Sequence, residues 1–328
     1  MTQMRLSIVM CTYNGAAYLQ PQLDSLLAQT RLPDQVVLAD DGSSDASVEI
    51  LQAFVEQAQA RGIDAQLHRN PDNLGYVENF SSVLGRATGD TLFLCDQDDV
   101  WRADKLALMA ARFESDPQLM LLHSDARLVD AQGAWLGCSL FDALELTPHE
   151  KRAIHQGRAF DVALRRSFVT GATAALRREV VDMVLPVAPG WIHDEWLAAV
   201  VAACGRMDFI DQPLIDYRQH GGNQIGMSRR TLVMKWRDLL LPRSRQLAAE
   251  ATRLQRWEDF LVQAGTRCSA ERAAQVRHKR MHFERRVALG RLPRLRRLSL
   301  ILAEARAGCY RRYGTGGRSM LRDLLRHD

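Results

Sequence analysis

Short apolar runs that stop at polar turns punctuate the first part of the chain. Leu6–Met10, Gln35–Ala39, Ala65–His68 and Thr91–Cys95 each read as a buried strand. Between them apolar residues recur at helical spacing. Leu19, Leu23, Leu26 and Leu27 mark one helix over about 18–29, Val48, Leu51, Phe54 and Val55 a second over about 46–60, and a third spans about 77–87. Strands that alternate with helices predict a mostly parallel, doubly wound α/β sheet. Further strands are predicted at Leu119–His123, Phe168–Leu176, Phe209–Ile210 and Pro213–Arg218. Helices are predicted from Trp101 to about Ser115 and from Trp191, and a tight turn at Asp130–Gly133. Phe141–Arg166 shows no clear period and is expected to be a flexible segment. After about Gly226 the chain turns to Arg-rich helical stretches. The predicted organisation is an α/β domain over 1–226 and a basic, mostly helical region over 227–328.

The chemistry sits where the strands stop. Phe93-Leu94-Cys95-Asp96-Gln97-Asp98-Asp99 takes a buried strand straight into three carboxylates. In open α/β sheets ligands bind at the carboxyl ends of strands. Carboxylate oxygens there suit Mg²⁺ or Mn²⁺ shared with substrate phosphates. A solvated turn with a helix cap is the competing reading. The first turn has no G-x-G-x-x-G, which speaks against dinucleotide binding. Asp40 or Asp41 is a candidate acceptor for a pyrimidine N3–H, and Thr12 and Tyr13 for contact with base and ribose. Asp96 would hold the ribose hydroxyls and Asp98 the metal that bridges two phosphates. Such a constellation suits transfer of a group off a nucleoside diphosphate, the cation offsetting charge on the leaving group.

Three motifs in order carry a resemblance: Ser7-Ile8-Val9-Met10-Cys11-Thr12-Tyr13-Asn14-Gly15, then Asp40-Asp41-Gly42-Ser43-Ser44-Asp45, then Asp96-Gln97-Asp98-Asp99. Together they resemble family 2 glycosyltransferases with the GT-A fold, a Rossmann-like doubly wound mixed sheet, over about 6–226. With Val100-Trp101, His193-Asp194-Glu195-Trp196 and Tyr217-Arg218-Gln219-His220-Gly221-Gly222-Asn223, the chain looks like the bacterial rhamnosyltransferase-like branch that builds surface polysaccharides such as O-antigen. The resemblance implies an inverting sugar transfer, with dTDP-L-rhamnose the favoured donor and a polyprenyl-diphosphate-linked glycan the acceptor. It places Asn14 and Gln97 with the nucleotide-sugar contacts. It maps the acceptor-side base to Asp194, with Glu195 as its neighbour. His220 is a candidate metal ligand or a structural histidine, and Arg218 a candidate phosphate partner. Asn73 and Asn79 lie near the nucleotide or cap loops. Gly171 belongs to a small-residue strand on the acceptor side. Trp101, Trp191 and Trp196 stack on a sugar or fill the core. A UDP-hexose donor, or a non-catalytic nucleotide-sugar or glycan-binding protein, are the alternatives.

Charge adds one distinction. The net +4 splits into about +14 over 231–328 and −10 before it. The basic region is read as helix faces that cover the α/β domain, or as a dock for anionic lipid on the inner face of the membrane. No motif supports nucleic-acid binding. The first residues show no signal-peptide pattern and no apolar run approaches a membrane span. Six scattered cysteines without a CxxC pair predict neither a zinc site nor a disulfide framework, and fit a cytoplasmic protein. The oligomeric state is left open.

Overall fold

The computed structural model describes residues 3–221 and 241–326. The first four strands are β1 (Leu6–Thr12), β2 (Gln35–Asp40), β3 (Asp64–Arg69) and β4 (Thr91–Cys95). They pair in parallel in the order β3-β2-β1-β4. The helices between them are α1 (Ala16–Leu27), α2 (Ser47–Ala60) and α3 (Tyr76–Arg86), each within two residues of its predicted bounds. β1, β2 and β4 are apolar on both faces because both are covered. Val9, Val37 and Leu94 join one core, and Ile8, Leu38 and Phe93 the other. Register sets Thr12 beside Asp40 and Met10 beside Cys95, so the polar residues that follow these strands share one edge.

The sheet continues through β8, β6, β9 and β5. β5 is Val100–Trp101, followed by α4 (Lys105–Ser115), β6 (Leu119–Val129) and β7 (Trp135–Ser139). The turn at 130–133 does join an antiparallel pair, β6 and β7. β6 runs on past its predicted end through Ser124 and Asp125. Phe141–Arg166 is ordered rather than flexible. It forms α5 (Leu140–Ala143), α6 (Pro148–His155) and α7 (Ala159–Ala163). Capping boxes at Ser139/Asp142 and Thr147/Glu150 start the first two, and Arg166 closes on Glu150 at 3.1 Å. Helices this short carry too few turns for a period to emerge.

The predicted strand over 168–176 is a 3₁₀ turn at Gly171–Thr173 followed by β8 (Ala174–Arg177). α8 (Arg178–Val184) and α9 (His193–Cys204) come next. The two predicted strands after them are one, β9 (Arg206–Arg218), parallel to β6, with a register shift where Pro213 faces Asp125.

The basic region is not one appendage. α10 (Ser244–Gln263) and α11 (Ala270–Gly290) form a hairpin. Its Leu254, Trp257, Leu261 and Val276 belong to the same core as Trp196 and Phe160. A disulfide joins Cys204 to Cys268, against the expectation of none; a sequence separation of 64 hid the pairing. The last helices, α12 (Arg294–Arg306), α13 (Cys309–Tyr313) and α14 (Gly317–Leu325), gather around a separate small cluster of Leu289, Ile301 and Tyr310. Buried Asp323 anchors it, accepting hydrogen bonds from Arg286 Nε at 2.7 Å and Tyr310 Oη at 2.8 Å. Arg297 is also interior, donating to the carbonyls of Gly290, Leu292 and Arg326. It is therefore a structural arginine, not a surface charge. The boundary expected at 226 falls outside the described residues. Among the described residues no helix is long and apolar enough to cross a membrane.

Candidate active site

The wall of the site is built from the turns after β1 and β2. Asp40 accepts from Ser43 N at 3.0 Å and from Thr12 Oγ1 at 3.1 Å. Asn14, at φ 47°, accepts from Ser44 N at 2.8 Å, and Ser43 Oγ accepts from Asn14 N at 2.9 Å. Asp41 accepts from Asn70 Nδ2, Leu74 N and Gly75 N at 2.8–2.9 Å, which folds the 70–75 loop over the end of β2. Asn73 ties the same loop through Asp41 O. Asn79 is buried, donates to Ala39 O and accepts from Asn70, so it is a loop anchor rather than a ligand contact. Gln97 reaches across to Tyr13, accepting from its N–H at 2.9 Å. Tyr13 itself is half exposed at the rim.

The floor is a carboxylate cluster. Asp96, Asp98, Asp99 and Asp194 all act electrostatically on the buried Tyr217 phenol, whose pKa burial and these charges push up. Burial, then Asp98 and Asp194, raise Asp96 to about 7. Burial, then Asp98 and Asp96, raise Asp99, and its Oδ2 has no hydrogen-bond partner among the described residues. The opposing cation is Lys105, fully buried, with Nζ 3.6 Å above the Trp101 ring and donating to Ala172 O at 2.9 Å. Burial pulls its pKa down to about 7 against the attraction of Cys95, Asp99 and Asp96. Even with Lys105 and Arg218 beside them, burial and mutual repulsion raise Asp96 and Asp99, a strain that a divalent cation would relieve. Asp98 has the donor chemistry for such an ion. His220 Nε2 lies 2.7 Å from Asp98 Oδ2, its ring stacked on Tyr18 at 4.4 Å. These residues fit a Mg²⁺- or Mn²⁺-sized ion.

Arg218, the candidate phosphate partner, supports the acidic turn. It is buried, donates from Nε to Asp98 O at 2.8 Å and from its backbone N to Asp99 Oδ1 at 3.0 Å. The carbonyl of Ala131 takes a further bond at 3.0 Å. Its guanidinium holds the Asp98–Asp99 turn from behind.

Asp194 joins this cluster from the first turn of α9. Its Oδ2 accepts from Gly171 N at 2.8 Å and its Oδ1 from Glu195 N at 2.7 Å. A carboxylate has about four acceptor positions, so capacity remains on both oxygens. Gly171 packs closely here: a Cβ would sit 3.3 Å from Asp194 Cβ and from His193 Nε2, a tight contact. Glu195 turns the other way and pairs with Arg253 of α10. Arg253 lies 4.2 Å over the Trp191 ring, and Trp191 Nε1 donates to Arg253 O. The two adjacent carboxylates thus have separate roles, as the helical offset of about 100° requires. Trp196 and Trp101 are both core residues. Trp196 Nε1 donates to Val184 O, and Trp101 packs under Lys105. Only Trp191 borders open space, a cleft of about 380 Å³ that Tyr76, Val187 and Pro189 also line. A larger cavity of about 550 Å³ along α4 and β9 contains none of these carboxylates.

Sequence reasoning missed Tyr18, Lys105 and Tyr217. The charge of Lys105, in Asp104-Lys105 one helical start after the acidic run, was the available signal. One more His/Glu/Cys cluster, His282, Glu304 and Cys309, gathers on α11–α13. There Glu304 is already paired with His282 and Arg285, and Arg285 and Arg312 act on Cys309. The arginines supply the positive charge, and the cluster reads as an ion-pair network.

Parallel strands whose ends gather an Asp-x-Asp, extended by an antiparallel β8 and joined by a carboxylate from α9, define a GT-A-type nucleotide-sugar fold. The chain belongs to glycosyl transferase family 2, whose model matches residues 7–185. An uncharacterised glycosyltransferase of Nostoc sp. is 28% identical over 225 residues, 67% of this chain and 66% of that one. A PGL/p-HBAD biosynthesis glycosyltransferase of Mycobacterium bovis is 32% identical over 139 residues, 42% and 53% of the two chains. The chain thus spans two thirds or less of the length of these curated relatives. Among solved structures, Staphylococcus aureus TarS in complex with UDP-GlcNAc superposes with TM-score 0.53 at 18% identity, covering 97% of this chain and 90% of that one. A mannosyltransferase of Pyrobaculum calidifontis, in complex with GDP-Man and Mn²⁺, gives 0.52 at 16%, covering 98% and 85%. At these identities the likeness is one of fold.

Proposed function

We propose that this chain is a metal-dependent, inverting glycosyltransferase that moves a sugar from a nucleoside-diphosphate donor onto a lipid-linked glycan, with dTDP-L-rhamnose the favoured donor. The observation that carries the reading is a cluster of carboxylates at the strand ends: Asp96, Asp98, Asp99 and, from α9, Asp194 all act on the Tyr217 phenol. Within it Asp98 meets His220 and Asp194 is held by Gly171 N–H. Bound at Asp98 and His220, Mg²⁺ or Mn²⁺ would neutralise the charge that builds on the departing diphosphate. The loop stitched by Asp40, Asp41 and Asn73 forms the nucleoside wall, with Tyr13 at its rim. In this reading Asp96 takes the ribose hydroxyls. Asp194 takes the proton of the acceptor hydroxyl as its oxygen bonds the anomeric carbon and the bond to the diphosphate breaks. Family membership, the GT-A-type fold and neighbours bound to UDP-GlcNAc and GDP-Man support a nucleotide-sugar partner. The basic C-terminal helices support a site of work at an anionic membrane surface.

A thermal-shift screen of dTDP-rhamnose, UDP-glucose, UDP-GlcNAc and GDP-mannose, each with and without Mn²⁺, tests this reading. A donor present at about 100 times its Kd stabilises the fold by about 2.7 kcal/mol. A Mn²⁺-dependent rise with at least one donor is expected, followed by Mn²⁺-dependent release of the nucleoside diphosphate. Binding without any release would favour the non-catalytic alternative. A UDP-hexose that outperforms dTDP-rhamnose would replace the donor.

A further inference from the structure

We propose that the solvent face of α12 is a lipid-docking surface, on which Leu295, Leu298 and Leu302 enter the acyl boundary of an anionic bilayer while surrounding arginines meet its phosphates. The proposal rests on the lipid-linked acceptor read above, and it names the surface that would meet the lipid.

Positions i, i+3 and i+7 of a helix fall on one stripe. Here that stripe faces outward. Leu295 is 89% exposed, Leu298 44% and Leu302 40%. The helix is held by Arg297 and Ile301, the two residues it buries. In a fold that encloses most of its large apolar side chains, three leucines in a row on solvent form a patch that asks for an occupant. The charge around them indicates which one. Residues 291–326 hold ten arginines against two acids, and neither acid is available at the surface. Asp323 is fully buried on Arg286, and Glu304 is tucked under His282 and Arg285. Arg291, Arg296 and Arg306 are exposed beside the stripe. An apolar stripe bordered by cations only is the pattern of a helix lying in the interface plane of an anionic membrane. A second copy of this chain fits poorly, because a two-fold contact would press the same arginines against each other. The buried Arg286, Arg297 and Arg326 take no part, since their charge is spent inside the cluster.

The test uses the full chain and co-sedimentation with two vesicle types, phosphatidylglycerol mixed into phosphatidylcholine, and phosphatidylcholine alone. Wild type is expected to bind the anionic vesicles at low salt, more weakly at high salt, and the neutral ones poorly. Leu295→Ser/Leu298→Ser/Leu302→Ser is expected to lower binding to anionic vesicles by ~10-fold or more. Its thermal midpoint and donor hydrolysis should stay unchanged, because all three side chains are exposed. Arg296→Glu/Arg306→Glu should lose binding mainly at low salt. A wild type that stays in the supernatant at low salt overturns the stripe together with the membrane reading. A wild type that binds, with the leucine triple variant binding equally, overturns the stripe alone. Sedimentation velocity shows whether the leucines instead join two copies; a dimer lost in the triple variant with vesicle binding unchanged would overturn the proposal in favour of self-association.

Discussion

At Asp194 two backbone N–H groups aim a carboxylate that a longer side chain on Gly171 would displace. Gly171→Ala puts a Cβ in van der Waals compression with Asp194 Cβ. The expected result is a lower kcat with donor affinity unchanged, read by hydrolysis kinetics and calorimetry; equal loss of both would mean the turn itself has collapsed. Asp98→Asn removes charge from the cation side instead. It is expected to abolish the Mn²⁺-dependent part of donor affinity while leaving the fold intact. Metal-dependent binding that survives in Asp98→Asn would move the cation to another carboxylate. Glu195→Gln addresses the neighbour. Because Glu195 pairs with Arg253 rather than facing the cleft, its loss should lower the thermal midpoint more than the turnover.

At the scale of elements, two contacts carry tests of their own. Gly89 sits against β1, where a Cβ would lie 2.6 Å from Ser7 Oγ and 2.8 Å from Ser7 N. Gly89→Ala should cost about 1–3 kcal/mol by overpacking, measured by denaturant unfolding. In the α10–α11 hairpin, burial alone would raise Glu258, but its bonds to Arg277 at 2.6 Å and Arg280 at 2.9 Å hold its pKa below 4.5. The fold therefore favours the ionised form. That stabilisation is complete above pH 4.5 and disappears as pH falls through the lower folded value. Glu258→Gln should melt earlier than wild type at pH 7, with the gap closing in acid; a gap constant with pH would contradict the assignment. These elements also show what the sequence could and could not reveal. The strands that end at Asp40 and Asp96 were readable because each is a continuous apolar run between turn residues. Asp194 was reached only through the family resemblance carried by His193-Asp194-Glu195-Trp196, not through a local period. Invisible were relations across distance: Lys105 Nζ on Ala172 O, Arg253 on Glu195, Cys204 with Cys268. Each depends on how helices pack, which no local period encodes. For Trp196 the sequence left sugar stacking and core filling open, and its burial in the shared core shows the second.

For the whole molecule, the α10–α11 hairpin shares its core with the α/β domain. Trp257 and Leu254 pack with Trp196, and Arg253 reaches Glu195 beside the proposed base. Removing the basic region is therefore expected to damage the acceptor side, not only membrane contact. A truncation after residue 221 should give aggregated or destabilised protein, seen by size-exclusion chromatography and thermal melting; a stable, fully active truncation would contradict the shared core. The central claim is that Asp194 acts as the base opposite an Asp98-bound cation, and one comparison addresses it most directly. With the donor that gives the largest Mn²⁺-dependent thermal shift, calorimetry and nucleoside-diphosphate release are measured on wild type and Asp194→Asn. The account expects donor affinity within about two-fold of wild type and kcat lower by ~10²-fold or more. Turnover retained in Asp194→Asn, or donor affinity lost with it, would contradict the account.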